Sequence, residues 1–232
     1  VNLNLQWKKE KNDLLKIINN TLENDSWVGG KNIEKFEKKI SKLCNTKYAA
    51  SLNSGTDALT LGLHLLGVRR GDEVITTPNS FIASTAVIVH LGAKPVFVDI
   101  DPLTWCLDPD DIERKVTHNT KAIIVVHIYG NPANMDRITK ISKNYDLHVI
   151  EDCAEALGSF YKKKHMGLFG DAGTFSFYGN KTISTGEGGM VIFKSKKNHY
   201  KAEIIKNHGM SKTKSYWHEN LGLNFRMTNI QA

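Results

Sequence analysis

The sequence of 232 residues has few cysteines, few prolines and no long apolar segment. Its three cysteines, Cys44, Cys106 and Cys153, are odd in number, widely separated and without metal-site spacing, which excludes a disulfide framework and fits a reducing compartment. The apolar runs at 85–91 and 121–128 are too short to cross a bilayer. We therefore expect a cytoplasmic protein with no membrane partner.

The chain is rich in lysine and carries a formal net charge of +7. The lysines occur in short clusters, such as 162–164 and 194–197, without interleaved aromatic residues or a recognisable reading helix. This pattern indicates a solvated lysine-rich surface rather than a nucleic-acid partner. A small anionic ligand is equally compatible with the charge.

Short β-branched apolar runs alternate with longer amphipathic stretches along the chain. The predicted strands are 48–52, 73–77, 95–99, 122–128, 148–151, 174–177 and 190–193. The predicted helices are 8–23, 32–43, 56–66, 82–91, 109–115, 135–144 and 197–206. Most strands read as continuous apolar runs, which indicates burial on both faces. The pattern predicts an α/β/α sandwich with a mostly parallel seven-stranded sheet.

Ligands of such open sheets bind at the carboxyl ends of the strands, so the residues there are site candidates. The segment "NSGTDAL" follows the first strand, and Ser54, Gly55 and Thr56 could bind an anion at a helix N-terminus or form an ordinary cap. In "TPNSFIAS", Phe81 could be a core residue or a ring that stacks on a ligand. The sequence leaves both alternatives open.

The run "LHVIEDCAEALGS" leads apolar residues directly into Glu151 and Asp152. A buried carboxylate needs a positive partner, and a protonated pyridine nitrogen would provide one.

The run "FSFYGNKTISTGEGGM" holds Lys181, which could decorate a turn or deliver an amine to an aldehyde cofactor. Ser176 precedes it as a candidate phosphate-binding hydroxyl. Asp99 and Asp101 of "DIDP" could indicate a magnesium pair, but the family resemblance described next implies a strand–turn element there, and no metal site is expected.

Seven motifs in order resemble the DegT/DnrJ/EryC1/StrS family of nucleotide-sugar aminotransferases. They are "NSGTDAL", "GDEVITTPNSFIAS", "GAKPVFVDID", "VVHIYGNPANMD", "VIEDCAEALGSFY", "GDAGTFSFYGNKTISTGEGGM" and "LGLNFRMTNIQA". The likeness runs from about residue 3 to the last residue. Within the family, "EDCAEALGS", "GNKTISTGEGGM" and "FRMTNIQA" look most like the GDP-perosamine synthase type of 4-aminotransferase.

This resemblance implies a pyridoxal-phosphate enzyme of fold type I. Lys181 matches the lysine that bonds covalently to the cofactor aldehyde, and Asp152 matches the partner of its ring nitrogen. Carried over in the same way are the phosphate cradle (Ser176, Gly55, Thr56), the stacking ring (Phe81), the small residue below the other ring face (Ala154) and a group near the ring hydroxyl (Glu155). Asn224 matches an asparagine that reaches the neighbouring subunit's cofactor phosphate, which implies a homodimer, and Arg226 is a candidate for the substrate diphosphate.

The implied reaction moves an amino group from glutamate to a nucleotide-linked 4-keto-6-deoxysugar. Related 3-dehydratases have histidine at the lysine position, so Lys181 favours transamination. His127 and His208 are candidate acid–base groups, but we expect both to be structural or surface residues. Residues 227–232 read like the start of a helix, so we expect 1–232 to form the cofactor-binding large domain with an N-terminal helical segment, and a small C-terminal domain to be largely absent. A non-catalytic ligand-binding or regulatory member of the fold is the alternative.

Overall fold

A computed structural model describes residues 2–232, and the seven strands of its main sheet coincide with the apolar runs of the sequence. The strands are β1 (Ala49–Leu52), β2 (Glu73–Thr76), β3 (Lys94–Phe97), β4 (Thr120–Val126), β5 (His148–Asp152), β6 (Phe160–Tyr161), β7 (Lys164–His165), β8 (Ala172–Ser176) and β9 (Gly189–Phe193). The helices are α1 (Leu3–Asn24), α2 (Lys31–Cys44), α3 (Gly55–Leu65), α4 (Ala83–His90), α5 (Pro109–Lys115), α6 (Met135–Asn144) and α7 (Lys196–Ile205).

Seven of the strands form one sheet in the order β1-β9-β8-β5-β4-β2-β3. The pairs β8–β5, β5–β4, β4–β2 and β2–β3 are parallel, whereas β9 is antiparallel to both of its neighbours, β1 and β8. The carboxyl ends of the other six strands therefore meet the start of β9 at one edge of the sheet. The predicted mostly parallel seven-stranded sheet is confirmed.

The core lies on both faces of this sheet, as expected for strands between helices. Every residue of β9 and all but one residue of β4 are buried. Phe175 and Phe177 are among the largest fully buried side chains, and burial of such a ring contributes about 1.5–3 kcal/mol relative to exposure. This packing fixes the end of β8, from which the chain continues to Lys181.

The seven predicted sheet strands and the seven predicted helices are all present; α5 and α6 have the predicted bounds, and the other elements have shifted ends. The largest shift is in α1, which begins at Leu3 rather than at residue 8 because Asn2 accepts a hydrogen bond from the N–H of Leu5 (3.0 Å) and caps the helix there. The hairpin of β6 and β7 was not predicted. No helix in the described part of the chain is both long and apolar enough to span a membrane.

Residues 227–232 form a single turn rather than a continuous helix. The Oγ1 of Thr228 accepts from the N–H of Gln231 (3.2 Å), and the Oε1 of Gln231 accepts from the N–H of Thr228 (2.8 Å). The N–H of Ala232 then bonds to the carbonyl of Thr228 (3.2 Å). This reciprocal pair is a capping box, which explains why the segment reads like a helix start.

Candidate active site

A cleft of about 400 Å³ opens at the edge where the strand ends meet. Seven of the predicted site residues line it: Gly55, Thr56, Phe81, Asp152, Ala154, Ser176 and Lys181. Other lining residues, which the sequence alone did not single out for the site, include Ser84, Tyr178, Asn180 and Glu187. The seven predicted residues lie at the ends of β5 and β8 or in the segments that follow β1, β2, β5 and β8. The topology of the sheet therefore brings them together.

One end of the cleft is the N-terminus of α3. Ser54 caps this helix by accepting from the N–H of Asp57 (3.0 Å), which leaves the N–H groups of Gly55 and Thr56 without an intrahelical acceptor. Ser176 lies against the same turn, because a Cβ added to Gly55 would stand 2.8 Å from the Cβ of Ser176. Two backbone donors and a hydroxyl thus surround a small space suited to an anion.

Asp152 ends β5 and is only 7% exposed. Its Oδ2 accepts from the hydroxyl of Ser84 (2.8 Å), and its Oδ1 accepts from the N–H of Ala154 (3.1 Å). Burial raises the pKa of Asp152, although both hydrogen bonds lower it. Among residues 2–232 no side chain forms a salt bridge with this carboxylate, and a cation in the cleft would supply a charge partner.

Glu151 points away from Asp152, as successive strand residues do, and is fully buried. It accepts from the N–H groups of Gly167 (2.8 Å), Phe169 (2.6 Å) and Gly170 (2.6 Å). Burial alone would raise the pKa of Glu151, but the hydrogen bond with His127 and the backbone donors hold it below its usual value. Backbone N–H groups and His127 of the protein itself therefore compensate the charge of this buried carboxylate. Glu151 is a structural residue.

Lys181 lies in the loop between β8 and β9, and its N–H bonds to the carbonyl of Tyr178 (3.0 Å). Its side chain is 18% exposed, and its Nζ lies 3.8 Å from the Oε1 of Glu155. The other oxygen of Glu155 accepts from the N–H of Tyr129 (2.7 Å), which has a left-handed backbone with φ 52°. Lys181 is therefore held inside the cleft beside an oriented carboxylate, rather than displayed on a surface turn.

Phe81 is 77% exposed and lines the cleft, which excludes the core alternative for this ring. An exposed phenyl ring beside a cleft offers an apolar face to a ligand. Ala154 lines the same cleft and leaves space there because its side chain is a single methyl group.

Asn224 and Arg226 lie outside this cleft, beside a second cavity of about 360 Å³ that Arg226 lines. Arg226 donates to the Oδ1 of Asn224 (3.1 Å) and of Asn207 (2.9 Å) and faces the Nε2 of His208 (3.4 Å). Among residues 2–232, no carboxylate forms a salt bridge with Arg226. Its positive charge is thus oriented but not neutralised.

Neither histidine candidate lines the cleft. His127 is fully buried, where its Nδ1 accepts from the N–H of Ala133 (3.2 Å) and its Nε2 faces Glu151 (3.1 Å). His127, Glu151 and Cys153 do bring potential metal ligands together. Burial raises the pKa of the Cys153 thiol well above its usual value, and the oxygens of Glu151 already accept from N–H groups. These three side chains therefore suit packing in the core rather than binding of a metal ion.

Asp99 and Asp101 fold into turns, as expected. The Oδ1 of Asp101 accepts from the N–H groups of Leu103 (2.7 Å) and Thr104 (3.1 Å). The Oδ1 of Asp99 accepts from the N–H of Ile100 (2.8 Å). These carboxylate oxygens serve the local backbone.

Comparison with known proteins agrees with this geometry. A GDP-perosamine synthase from Escherichia coli O157:H7 is 47% identical over 217 residues, covering 93% of this chain and 59% of that protein. A pleiotropic regulatory protein from Geobacillus stearothermophilus is 40% identical, covering 100% of this chain and 62% of that protein. The structure of NtdA from Bacillus subtilis with bound cofactor PMP superposes with a TM-score of 0.91 at 34% identity, covering 96% of this chain and 51% of that one.

The chain thus spans about three fifths of the length of the curated relatives it matches. The family model of the DegT/DnrJ/EryC1/StrS aminotransferases matches residues 8–232. With that match and the shared fold, the chain belongs to the DegT/DnrJ/EryC1/StrS aminotransferase family.

Proposed function

We propose that this protein is a pyridoxal-phosphate-dependent aminotransferase that moves an amino group from glutamate to a nucleotide-linked keto-deoxysugar. The observation that carries the proposal is the position of Lys181 and Asp152 in one cleft, with an anion-binding helix terminus at its end. Residues 1–232 would form the cofactor-binding large domain. The product would be an amino sugar for surface polysaccharide.

The residues present fit the phosphate of this cofactor. Gly55 and Thr56 offer backbone N–H groups and Ser176 offers a hydroxyl, and a Cβ at Gly55 would fill the space between them. A helix N-terminus also stabilises negative charge through its dipole. A residue larger than glycine at position 55 would therefore occupy the space that the phosphate needs.

The cleft also fits the ring. Asp152 is a buried carboxylate without a full charge partner, and Phe81 and Ala154 line the cleft as a flat and a small apolar group. Pyridoxal phosphate, when bound, supplies an aldehyde that bonds to amines and a ring that withdraws electrons. Asp152 would keep the ring nitrogen protonated by electrostatic attraction, and Glu155 would orient the ring edge beside Lys181.

Lys181 would hold the cofactor covalently and then act as a base. Once its amine is released, the Nζ would remove the proton from the α-carbon of the amino donor in the first half of the reaction and would give a proton to the aminated carbon of the sugar in the second half. The backbone bond to Tyr178 and the neighbouring Glu155 keep the amine at the cleft. A single oriented lysine can therefore serve both halves of a transamination.

The proposed sugar is a 4-keto-6-deoxyhexose, and this choice rests on the motifs shared with GDP-perosamine synthases. Relatives with other sugars include a dTDP-3-amino-3,6-dideoxy-alpha-D-galactopyranose transaminase from Aneurinibacillus thermoaerophilus, 39% identical over 99% of this chain. The unneutralised Arg226 would attract the diphosphate, and Asn224 beside it would reach the cofactor phosphate of a second subunit. This arrangement requires a homodimer with shared sites.

A regulatory ligand-binding role is the second candidate. It is favoured by the 40% identity to the pleiotropic regulatory protein of Geobacillus stearothermophilus. Such a role would need the cleft but not turnover. Assays of the whole protein with glutamate and a panel of keto-sugar nucleotides would separate the two functions.

The covalent role of Lys181 is tested by borohydride reduction of the protein with bound pyridoxal phosphate, followed by peptide mapping. We expect a stable pyridoxyl group on Lys181 and its loss in Lys181→Ala. The exposed Lys163→Ala serves as the matched control and should keep the modification. A reduced adduct on another lysine, or an unchanged adduct in Lys181→Ala, would contradict the proposal.

A further inference from the structure

The buried serine of α4 makes a contact that the sequence did not reveal. Ser84 is 1% exposed and lies in the first turn of α4, with its Oγ 2.8 Å from the Oδ2 of Asp152. An ionised carboxylate accepts hydrogen bonds and cannot donate them. The single hydroxyl hydrogen of Ser84 is therefore directed at Asp152.

A second serine continues this contact. The Oγ of Ser80 lies 3.0 Å from the Oγ of Ser84. Because Ser84 already uses its hydrogen on Asp152, Ser80 is the donor in this pair. The result is a directed chain from Ser80 through Ser84 to the carboxylate, in which each bond polarises the next.

The two oxygens of Asp152 have one fixed donor each. Ser84 holds Oδ2, and the N–H of Ala154 holds Oδ1. Together they fix the plane of the carboxylate, whose side chain also lines the cleft. The other charged or titratable groups that act on it are His127, whose backbone N–H donates to the carbonyl of Asp152 (3.1 Å), and Lys181, which lines the same cleft.

We propose that Ser84 is a positioning residue that keeps Asp152 ionised and oriented toward the ring nitrogen of the bound cofactor, with Ser80 supporting it. This inference rests on the proposed function of the cleft. Hydrogen bonds to a buried carboxylate favour its charged form. Without Ser84, Asp152 would be protonated more readily, and a neutral acid cannot stabilise a protonated ring by charge.

The first test needs no cofactor. The titration of Asp152 is followed by NMR in the cofactor-free protein labelled with ¹³C-aspartate. We expect Ser84→Ala to raise the midpoint by about one pH unit, the size expected for loss of a hydrogen bond to a charged group. Ser84→Thr restores a hydroxyl and should reverse the shift. Ser142→Ala is the matched control, because Ser142 is also a buried helical serine but donates to the carbonyl of Thr139 in α6.

The second test reads the ring itself. In protein loaded with pyridoxal phosphate labelled with ¹⁵N in the ring, Ser84→Ala should move the nitrogen signal toward its unprotonated position. Ser80→Ala should move it in the same direction by less. Turnover should fall roughly tenfold with little change in KM, since the interaction acts on the reacting state. In an Asp152→Asn background, Ser84→Ala should cause no further shift.

The outcomes distinguish the positioning role of Ser84 from the proposed function of the cleft. An Asp152 midpoint that is unchanged in Ser84→Ala overturns the inference, whatever the cleft binds. So does a bound cofactor whose ring signal is identical in Ser84→Ala and in the unmodified protein. Failure of every form, including the unmodified protein, to bind the cofactor contradicts the proposed function and the positioning role with it.

Discussion

At the scale of single residues, the neighbouring carboxylates Glu151 and Asp152 divide two tasks. The pleat of β5 points them to opposite sides. Glu151 meets three backbone N–H groups and His127, whereas Asp152 meets one hydroxyl and one N–H. Hydrogen bonds outweigh burial at Glu151 and lower its pKa, whereas burial outweighs hydrogen bonds at Asp152 and raises its pKa. One side chain therefore stabilises the fold, and the other is kept available for a ligand.

Replacement of Asp152 by asparagine tests the second task. We expect Asp152→Asn to retain bound pyridoxal phosphate, because an amide still forms hydrogen bonds in the cleft. Transamination should fall about a hundredfold, equivalent to about 3 kcal/mol, because an amide cannot favour a protonated ring by charge. Cofactor absorbance and kcat measured on one preparation check both parts. Near-normal turnover in Asp152→Asn would remove this role.

Replacement of Glu151 by glutamine tests the first task. Glu151→Gln should lower the free energy of unfolding by roughly 3 kcal/mol, because the amide places its own N–H groups against buried donors. Denaturant unfolding at neutral pH measures the loss, with the exposed Glu113→Gln as control. Equal stability of the two variants would show that the buried contacts of Glu151 are not needed.

The pH dependence of stability should carry opposite contributions from this pair. Since the pKa of Glu151 is lowered in the folded state, its contribution is present above its unfolded pKa of about 4.3 and is lost as the pH falls through the folded value. Asp152 has a raised pKa, so its ionisation opposes folding at neutral pH and the loss is recovered on acidification. Unfolding curves of Glu151→Gln should therefore show a smaller loss of stability in acid than those of the unmodified protein, and Asp152→Asn a larger one.

At the scale of elements, the hairpin of β6 and β7 has an unusual turn. Two lysines connect the strands, and both have left-handed backbones, with φ 47° at Lys162 and 65° at Lys163. Two-residue hairpins need these angles, but glycine and asparagine adopt them at lower cost than lysine. The turn is thus locally strained, and the flanking strand pairs hold it.

Lys163→Gly should relieve this strain and raise the free energy of unfolding by roughly 1 kcal/mol. The matched control is Lys140→Gly, because Lys140 is an exposed lysine inside α6, where the same substitution should cost about 1 kcal/mol. Thermal or denaturant unfolding compares the two. A loss of stability in both variants would show that the turn is not strained by its side chain.

The hairpin also shows why part of the fold could not be predicted from the sequence. The seven sheet strands were visible as apolar runs, since burial on both faces imposes that composition. The strands β6 and β7 have two residues each, too few for any period, and lysine is not a turn signal. In the same way, Lys181, Asp152 and Ser176 were singled out from motifs and do line the cleft. Ser84 was not singled out, because its contact is with a residue 68 positions away.

At the scale of the whole molecule, the placement of Asn224 and Arg226 outside the cleft leads to a prediction about assembly. If each site borrows Asn224 from its partner, a heterodimer of Lys181→Ala and Asn224→Ala chains has one site with both defects and one with neither. Random exchange of subunits should then restore about a quarter of the sites of the unmodified dimer. Activity after mixing, with exchange confirmed by mass spectrometry of tagged chains, measures this fraction. No recovery after confirmed exchange would mean that Asn224 acts within its own chain.

The position of β9 also sets an order of events during synthesis. Among residues 2–232 it is the last strand of the sheet in sequence, yet it lies between β1 and β8 and pairs Ala49 with Ile192. While the ribosome is still adding residues before 189, β1 has no neighbour, and the loop that carries Lys181 is anchored at one end only. Closing a pairing over such a separation in sequence is slow. The cleft must therefore form late, so a ligand of the cleft would meet a nearly finished sheet and would not guide the first strands together.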